Sequence, residues 1–310
     1  MVQAGDAVQC ASSGSYADRM PGSPYTDLDR PPLSAARLRR ALVAPHGPWR
    51  RLELLAETGS TNADVVAAAR AGEPEGLVVV AERQSAGRGR RGRVWQSPPR
   101  AGIAASVLLR PGEVNAERGW SPVPVTGYGW LPLLAGVALV EAVRLLAEVD
   151  ARLKWPNDLL VDGAKCAGVL AEVVPGDGDD RPPAIVVGVG LNVTVRADEL
   201  PENPTGLPAT SLQLAGATAT DRDPLLRSLL RSLADWYERW RDAGGDAVAS
   251  GLRDTYLAGC ATVGRRVRVL LPDGREVHGT ATGVDPDGQL LVEADGAPLR
   301  LAAGDVLHLR

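Results

Sequence analysis

At 310 residues with 45% hydrophobic side chains, the chain can hold one large domain with a sizeable core plus a small one. Its net charge of −4 argues against a dedicated nucleic-acid binder, whose domain is normally basic. Three scattered cysteines (Cys10, Cys166, Cys260) and three histidines, without a C-x-x-C, indicate neither a disulfide framework nor a zinc site.

Residues 1–32 are rich in Gly, Ser, Pro and Asp and read as a disordered tail. The stretch is too short and polar for a helix-turn-helix domain. It also lacks the basic start and apolar core of a signal peptide. There is no run of 18 apolar residues to predict a membrane-spanning helix. The expected setting is the cytoplasm with reduced thiols, and neither membrane nor nucleic acid is expected as a partner. A short helix is predicted over 33–42 and a strand over 49–55. Ser60, Thr61 and Asn62 then precede a helical stretch, 63–70, that stops at Gly72. Ser, Thr and Asn are preferred helix caps. Helix N-termini also offer free N–H groups to polar ligands. Taken alone, these three residues are explained by capping. The apolar run over 76–82 predicts a buried strand that delivers Gln84 and a dense loop.

That loop reads Gly87-Arg88-Gly89-Arg90-Arg91-Gly92-Arg93-Val94-Trp95. Glycine brings backbone close to a ligand, and arginine offers a permanent planar fork of donors for carboxylate and phosphate. Four readings compete for it. A solvated basic loop or nucleic-acid patch is the plain one. A dinucleotide fingerprint fits Gly87, Gly89 and Gly92, but it needs a helix to start inside the motif. Gln96-Ser97-Pro98-Pro99 follows instead, which is turn chemistry. A kinase glycine loop fits as far as Val94, yet the chain has no H-R-D or D-F-G run and no Phe at all. The fourth reading is a loop that folds over an anionic ligand and activates an acid.

Further strands are predicted over 102–109 and from 151, with a helix over 131–146 between them. The second dense stretch is Lys154-Trp155-Pro156-Asn157-Asp158, running into a strand. Asp162-Gly163 is a hairpin signal. On the return strand, strict alternation puts Lys165, Ala167 and Val169 on one face. Either lysine is equally well read as solvated, and Cys166 as a small core residue. An acidic flexible loop is predicted over 175–183. Residues 185–195 read as a strand whose Gly188 and Gly190 leave room for a ligand, with Asn192 as a polar tip. After a loop over 201–208, helices are predicted over 225–240 and 247–256; Trp236 and Trp240 read as core. From Val263, Asp-Gly turns at 273, 287 and 295 punctuate short β runs. They predict a small antiparallel barrel of about five strands, with a boundary near residue 260.

Assembled, these motifs resemble the bacterial biotin–protein ligases, from about residue 50 to the C-terminus. The family's G-R-G-R-x-G-R-x-W stands at 87–95, K-W-P-N-D at 154–158, K-x-x-G-x-L-x-E at 165–172 and G-x-G-x-N at 188–192. The S-T-N helix start stands at 60–62, and Thr210-Ser211-Leu212 is similar to the segment after the last strand. The resemblance implies an α+β fold. It consists of a class II aminoacyl-tRNA-synthetase-like catalytic domain over 33–260, with a mixed sheet and flanking helices, and a small SH3-like β-barrel over 261–310. It implies activation of biotin with ATP to biotinyl-5′-AMP, then transfer to a lysine of a biotin carboxyl carrier domain of an acyl-CoA carboxylase. Mg²⁺ would accompany ATP as substrate, near Asn192, with no tightly bound cofactor. Ser60, Thr61, Asn62, Gln84, Gly87, Arg88, Gly89, Arg90, Trp95, Lys165 and Gly168 would form the biotin site. Arg88, Arg90, Arg93, Trp95, Lys154, Asn157 and Asn192 would serve ATP. Lys165, Arg90 and Lys154 would be catalytic, and Trp95 would pack on the ligand to exclude water. The loop over 83–98 is expected to be mobile when empty. Nothing before residue 50 can make the repressor winged helix that some members carry, so a ligase-only member is expected. Within the same chemistry, a lipoyl ligase is the alternative; outside it, a non-catalytic biotin or nucleotide sensor.

Overall fold

The computed structural model describes residues 30–176, 181–201, 207–294 and 296–309. Residues 1–29 of the tail expected over 1–32, and parts of the loops expected over 175–183 and 201–208, lie outside them. Residues 33–310 form one compact unit.

Seven strands make the main sheet: β1 (Arg51–Leu55), β2 (Leu77–Ala81), β3 (Gly102–Leu109), β4 (Ala151–Lys154), β5 (Asp158–Val161), β6 (Ala164–Val174) and β7 (Ala184–Asn192). Their spatial order is β1-β2-β3-β7-β6-β5-β4. β1 and β2 pair in parallel, and each remaining neighbouring pair is antiparallel. Among the described residues five α-helices accompany the sheet: α1 (Ala35–Leu42), α2 (Thr61–Arg70), α3 (Trp130–Ala147), α4 (Arg222–Asp242) and α5 (Leu252–Gly259). This is the expected mixed-sheet α+β arrangement. Helix α5 starts later than the sequence predicts. Gly251, at φ 75°, takes the left-handed conformation just before it and interrupts any helix entering from 247.

The sheet has two unequal covers, and side-chain alternation assigns residues to each. Val78 and Val80 of β2 join the large core with α3 and α4, whereas Leu77 and Val79 join a smaller cluster with Val65 and Ala69 of α2. Strand β7 divides the same way. Ile185, Val187, Val189 and Leu191 feed the large core, while Val186 lies in the small one. Gly188, Gly190 and Asn192 continue the α2 face beyond the reach of that short helix. Helix α3 is long and apolar enough by composition to cross a membrane. It is instead the central core helix, with Leu131, Leu134, Val137 and Leu139 among its buried side chains.

One predicted face is wrong. In the β5–β6 pairing, Leu159 faces Ala167 but Leu160 faces Lys165, so Cys166 is an extra residue in β6. This bulge reverses the alternation. Lys165 therefore shares a side with Gly168, whose missing Cβ would lie 3.4 Å from Lys165 Nζ, and not with the core residues Ala167 and Val169. Cys166 fills the core as expected, and burial pushes its thiol up to about 12.

The C-terminal strands β8 (Arg266–Leu270), β9 (Glu276–Val284), β10 (Leu290–Ala294), β11 (Ala297–Leu301) and β12 (Asp305–His308) form an antiparallel SH3-like sheet, ordered β11-β10-β9-β8-β12. Gly274, Gly288 and Gly296 take the positive φ that Asp-Gly turns require, although Asp295 itself lies outside the described residues. Two indoles pin this sheet to the rest. Trp130 Nε1 donates to Pro286 O at 2.6 Å and Trp155 Nε1 to Gly288 O at 3.1 Å.

Candidate active site

On the α2 face, beyond the helix, opens a cavity of about 430 Å³, within the usual range for small-molecule sites. Its floor is glycine. Gly168 and Gly190 are register partners on β6 and β7. The Trp95 indole fills the space their side chains would need: a Cβ on Gly190 would lie 2.4 Å from the ring, and one on Gly168 3.4 Å. Trp95 is thus wedged against the sheet. Lys165 Nζ stands 5.9 Å from the ring centroid.

One part of the lining is polar and uncharged, with the Glu172 carboxylate behind it. Ser60, Thr61 and Asn62 are buried there at the start of α2. The predicted capping is done by a different residue. Ser60 makes no side-chain cap bond, and Gln84 Oε1 instead accepts from Thr61 N at 2.8 Å and Thr61 Oγ1 at 3.1 Å. Ser106 Oγ donates to Asn62 Oδ1 at 2.6 Å, and Asn62 Nδ2 donates to Glu172 Oε2 at 2.8 Å. Asn62 reaches Ser106 only because Gly188 has no Cβ, which would fall 1.9 Å from Asn62 Oδ1.

The other part is cationic. Arg88, Arg90, Arg93 and Lys165 all line the cavity. Arg90 Nη1 donates to Asn157 Oδ1 at 3.2 Å and Gly304 O at 3.3 Å. Arg88 reaches Glu172 at 3.4 Å. Beneath them, the buried Asp158 carboxylate lies between Lys165 at 2.5 Å and Lys154 at 3.3 Å. Burial would raise its pKa, but the two ammonium groups outweigh burial and hold Asp158 below the usual carboxylate range. Burial, partly offset by Asp158, lowers Lys154. An array of fixed cations beside neutral hydrogen-bonding groups is suited to a ligand with one polar uncharged end and one anionic end.

Two family models match the chain. One describes the biotin/lipoate A/B protein ligase family over residues 60–192, and the other the biotin protein ligase C-terminal domain over 262–309. A biotin–[acetyl-CoA-carboxylase] ligase of Mycobacterium tuberculosis is 42% identical over 291 residues, covering 92% of this chain and 100% of that protein. A ligase of the same name from Paracoccus denitrificans is 33% identical, covering 82% and 98%. Among solved structures, a biotin protein ligase of Aquifex aeolicus in complex with biotin and ATP is similar at a TM-score of 0.65 and 26% identity, covering 84% of this chain and 100% of that one. The chain belongs to the biotin protein ligase family.

Most residues singled out in the ligase's sequence converge on the cavity: Ser60, Thr61, Asn62, Gln84, Arg88, Gly89, Arg90, Arg93, Trp95, Asn157, Lys165, Gly168 and Asn192 line it. Two do not. Gly87 lies behind the loop, where a Cβ would meet Trp95 O at 2.4 Å; it permits a close backbone crossing. Lys154 is buried and does not line the cavity; it pairs with Asp158, which in turn pairs with the cavity residue Lys165. Among the described residues no cluster of three or more His, Cys, Asp or Glu suits a metal. Three contributors lacked a local signal or were passed over. Ser106 is a lone hydroxyl in an apolar strand. Asp158 and Glu172 stand inside recognised motifs, and their charges, next to so many cations, were the available clue.

Proposed function

We propose that the ligase condenses biotin with ATP to biotinyl-5′-AMP, releasing pyrophosphate, and transfers the biotinyl group to a lysine of a carboxylase carrier domain, releasing AMP. The observation that carries this reading is a single cavity over a glycine floor that is lined both by neutral hydrogen-bonding groups, Ser60, Thr61 and Gln84, and by the cations Arg88, Arg90, Arg93 and Lys165. Ser60, Thr61 and Gln84 would hydrogen-bond the ureido ring, which offers one carbonyl and two N–H groups. Arg88, Arg90 and Arg93 would hold the carboxylate and phosphates by charge-assisted bonds. Lys165 would stand at the biotin carboxyl group, beside the phosphate and carbonyl oxygens on which the two steps build negative charge. Asp158 aims Lys165 through a 2.5 Å ion pair; with its own pKa held down Asp158 is a poor proton acceptor at neutral pH. Lys154 supports this arrangement from below, and Asn157 orients Arg90. Mg²⁺ would enter with ATP as part of the substrate. Asn192, whose Nδ2 donates to Thr210 O, has a buried Oδ1 with no hydrogen-bond partner and offers an oxygen on that side. The setting proposed is the cytoplasm.

The test is incubation of the purified protein with biotin, Mg-ATP and a biotin carrier domain, followed by mass analysis of the carrier. A mass gain of one biotinyl group on the carrier lysine is expected. A gain with lipoate and none with biotin, or ligand binding without pyrophosphate release, would overturn the reading.

A further inference from the structure

We propose that Asp305, the first residue of β12, is a positioning residue for the arginine loop, so that the C-terminal barrel holds the loop shut through one carboxylate. The inference rests on the activity proposed above. Asp305 Oδ2 accepts from Arg91 Nη1 at 3.1 Å, and Asp305 Oδ1 accepts from Arg93 Nη2 at 2.8 Å. The preceding residue, Gly304, accepts from Arg90 Nη1 at 3.3 Å. Three of the loop's guanidinium groups therefore converge on two consecutive barrel residues, from more than 200 positions away in the chain.

The details indicate a built contact. Arg91 sits at φ 56°, a left-handed conformation disfavoured for a residue with a Cβ. Its side chain reaches the barrel and is not among those that line the cavity. Gly304 lies so close to β8 that a Cβ would meet Val269 Cγ1 at 2.5 Å, which fixes the turn presenting Asp305. A single exposed ion pair contributes little. Here, however, both oxygens of one half-buried carboxylate are engaged by separate loop arginines. Losing that carboxylate releases two anchors together and removes no residue of the cavity lining, although it unties Arg93, which belongs to it. The loop then spends more time open, and an open loop exposes the acyl adenylate to water and lets it escape.

The test is Asp305→Asn in the full-length enzyme, with Arg91→Gln and the double variant completing a cycle. Expected for Asp305→Asn is an increase of about tenfold in release of preformed biotinyl-5′-AMP. KM for biotin and ATP rises several-fold while kcat for adenylation stays near wild type, the pattern of lost binding in an intact catalytic arrangement. Trypsin cleavage inside 87–95 speeds up, and Asp305→Glu restores most of the retention. Arg91→Gln shows part of the same defect, and the double variant is no worse than Asp305→Asn. Wild-type retention and loop cleavage in Asp305→Asn, or additive defects in the cycle, would overturn the role of Asp305. A wild-type protein that forms no biotinyl-5′-AMP would instead sink the activity on which it rests.

Discussion

Glycine 190 illustrates how much of the site depends on atoms that are missing. The ring of Trp95 occupies the volume a side chain would take, so Gly190→Ala drives a methyl to within 2.4 Å of the indole. The backbone there is ordinary strand, so the fold should tolerate the change. We predict a loss on the order of 100-fold in kcat/KM for biotin, the scale of a misplacement of about 1 Å, with an unchanged circular dichroism spectrum. The buried charges give a second residue-scale prediction. Asp158→Asn leaves Lys154 buried without its counter-ion, at a cost of about 3 kcal/mol. Thermal denaturation should show this as a fall of roughly 5 °C in Tm. Lys165→Met should barely change Tm, since Lys165 is the more exposed partner, with 21% of its side chain accessible against 9% for Lys154. It should nonetheless lower the rate of adenylation by at least about 100-fold, as removal of a transition-state charge partner does.

At the scale of elements, the decisive part is the loop between β2 and β3. It begins where β2 ends, closes on Trp95, and is held by Glu172 of β6 and Asp305 of β12. Its contacts are mostly polar and partly exposed, which places it among the first segments to open. Trypsin cleavage within 87–95 should slow when biotin and ATP are added; equal rates with and without them would refute a closing loop. Arg90→Gly removes the contacts to Asn157 and Gly304 together. Release of biotinyl-5′-AMP should then accelerate by about tenfold or more, the effect of losing more than 1.4 kcal/mol of retention. Strand β6 carries the other element-scale lesson. Its regular hydrophobic pattern predicts regular alternation, but the extra residue at Cys166 turns Lys165 toward the cavity.

For the molecule as a whole, the barrel and the main sheet meet through buried polar contacts. Trp155 N donates to Thr262 Oγ1, which also bonds His308 Nε2 at 3.0 Å. Burial, together with the nearby Lys154 and Arg265 charges, pushes the His308 pKa down to about 4 from its usual 6.5. A histidine whose folded-state pKa is depressed binds its proton more readily when unfolded. The stability linked to His308 is therefore complete above about pH 6.5 and declines as pH falls toward 4. Tm should drop across that window in the wild-type protein and drop less in His308→Gln; parallel curves would refute the linkage.

The amino-acid sequence by itself determined the family, the order of elements and most of the cavity lining. Those signals are local: glycines and arginines packed into nine positions, an Asp-Gly turn, a lysine-led strand. Each states its chemistry within a few residues. Tertiary structure alone decided which way Lys165 points, because a bulge is a property of two paired strands. It also seated Trp95 against a glycine pair from two different strands, and gave the cap of α2 to Gln84 in place of Ser60. Asp305 shows the limit most clearly. In sequence it is one acidic residue beside a turn, and only the packing of a barrel against a sheet brings it to the arginines it holds.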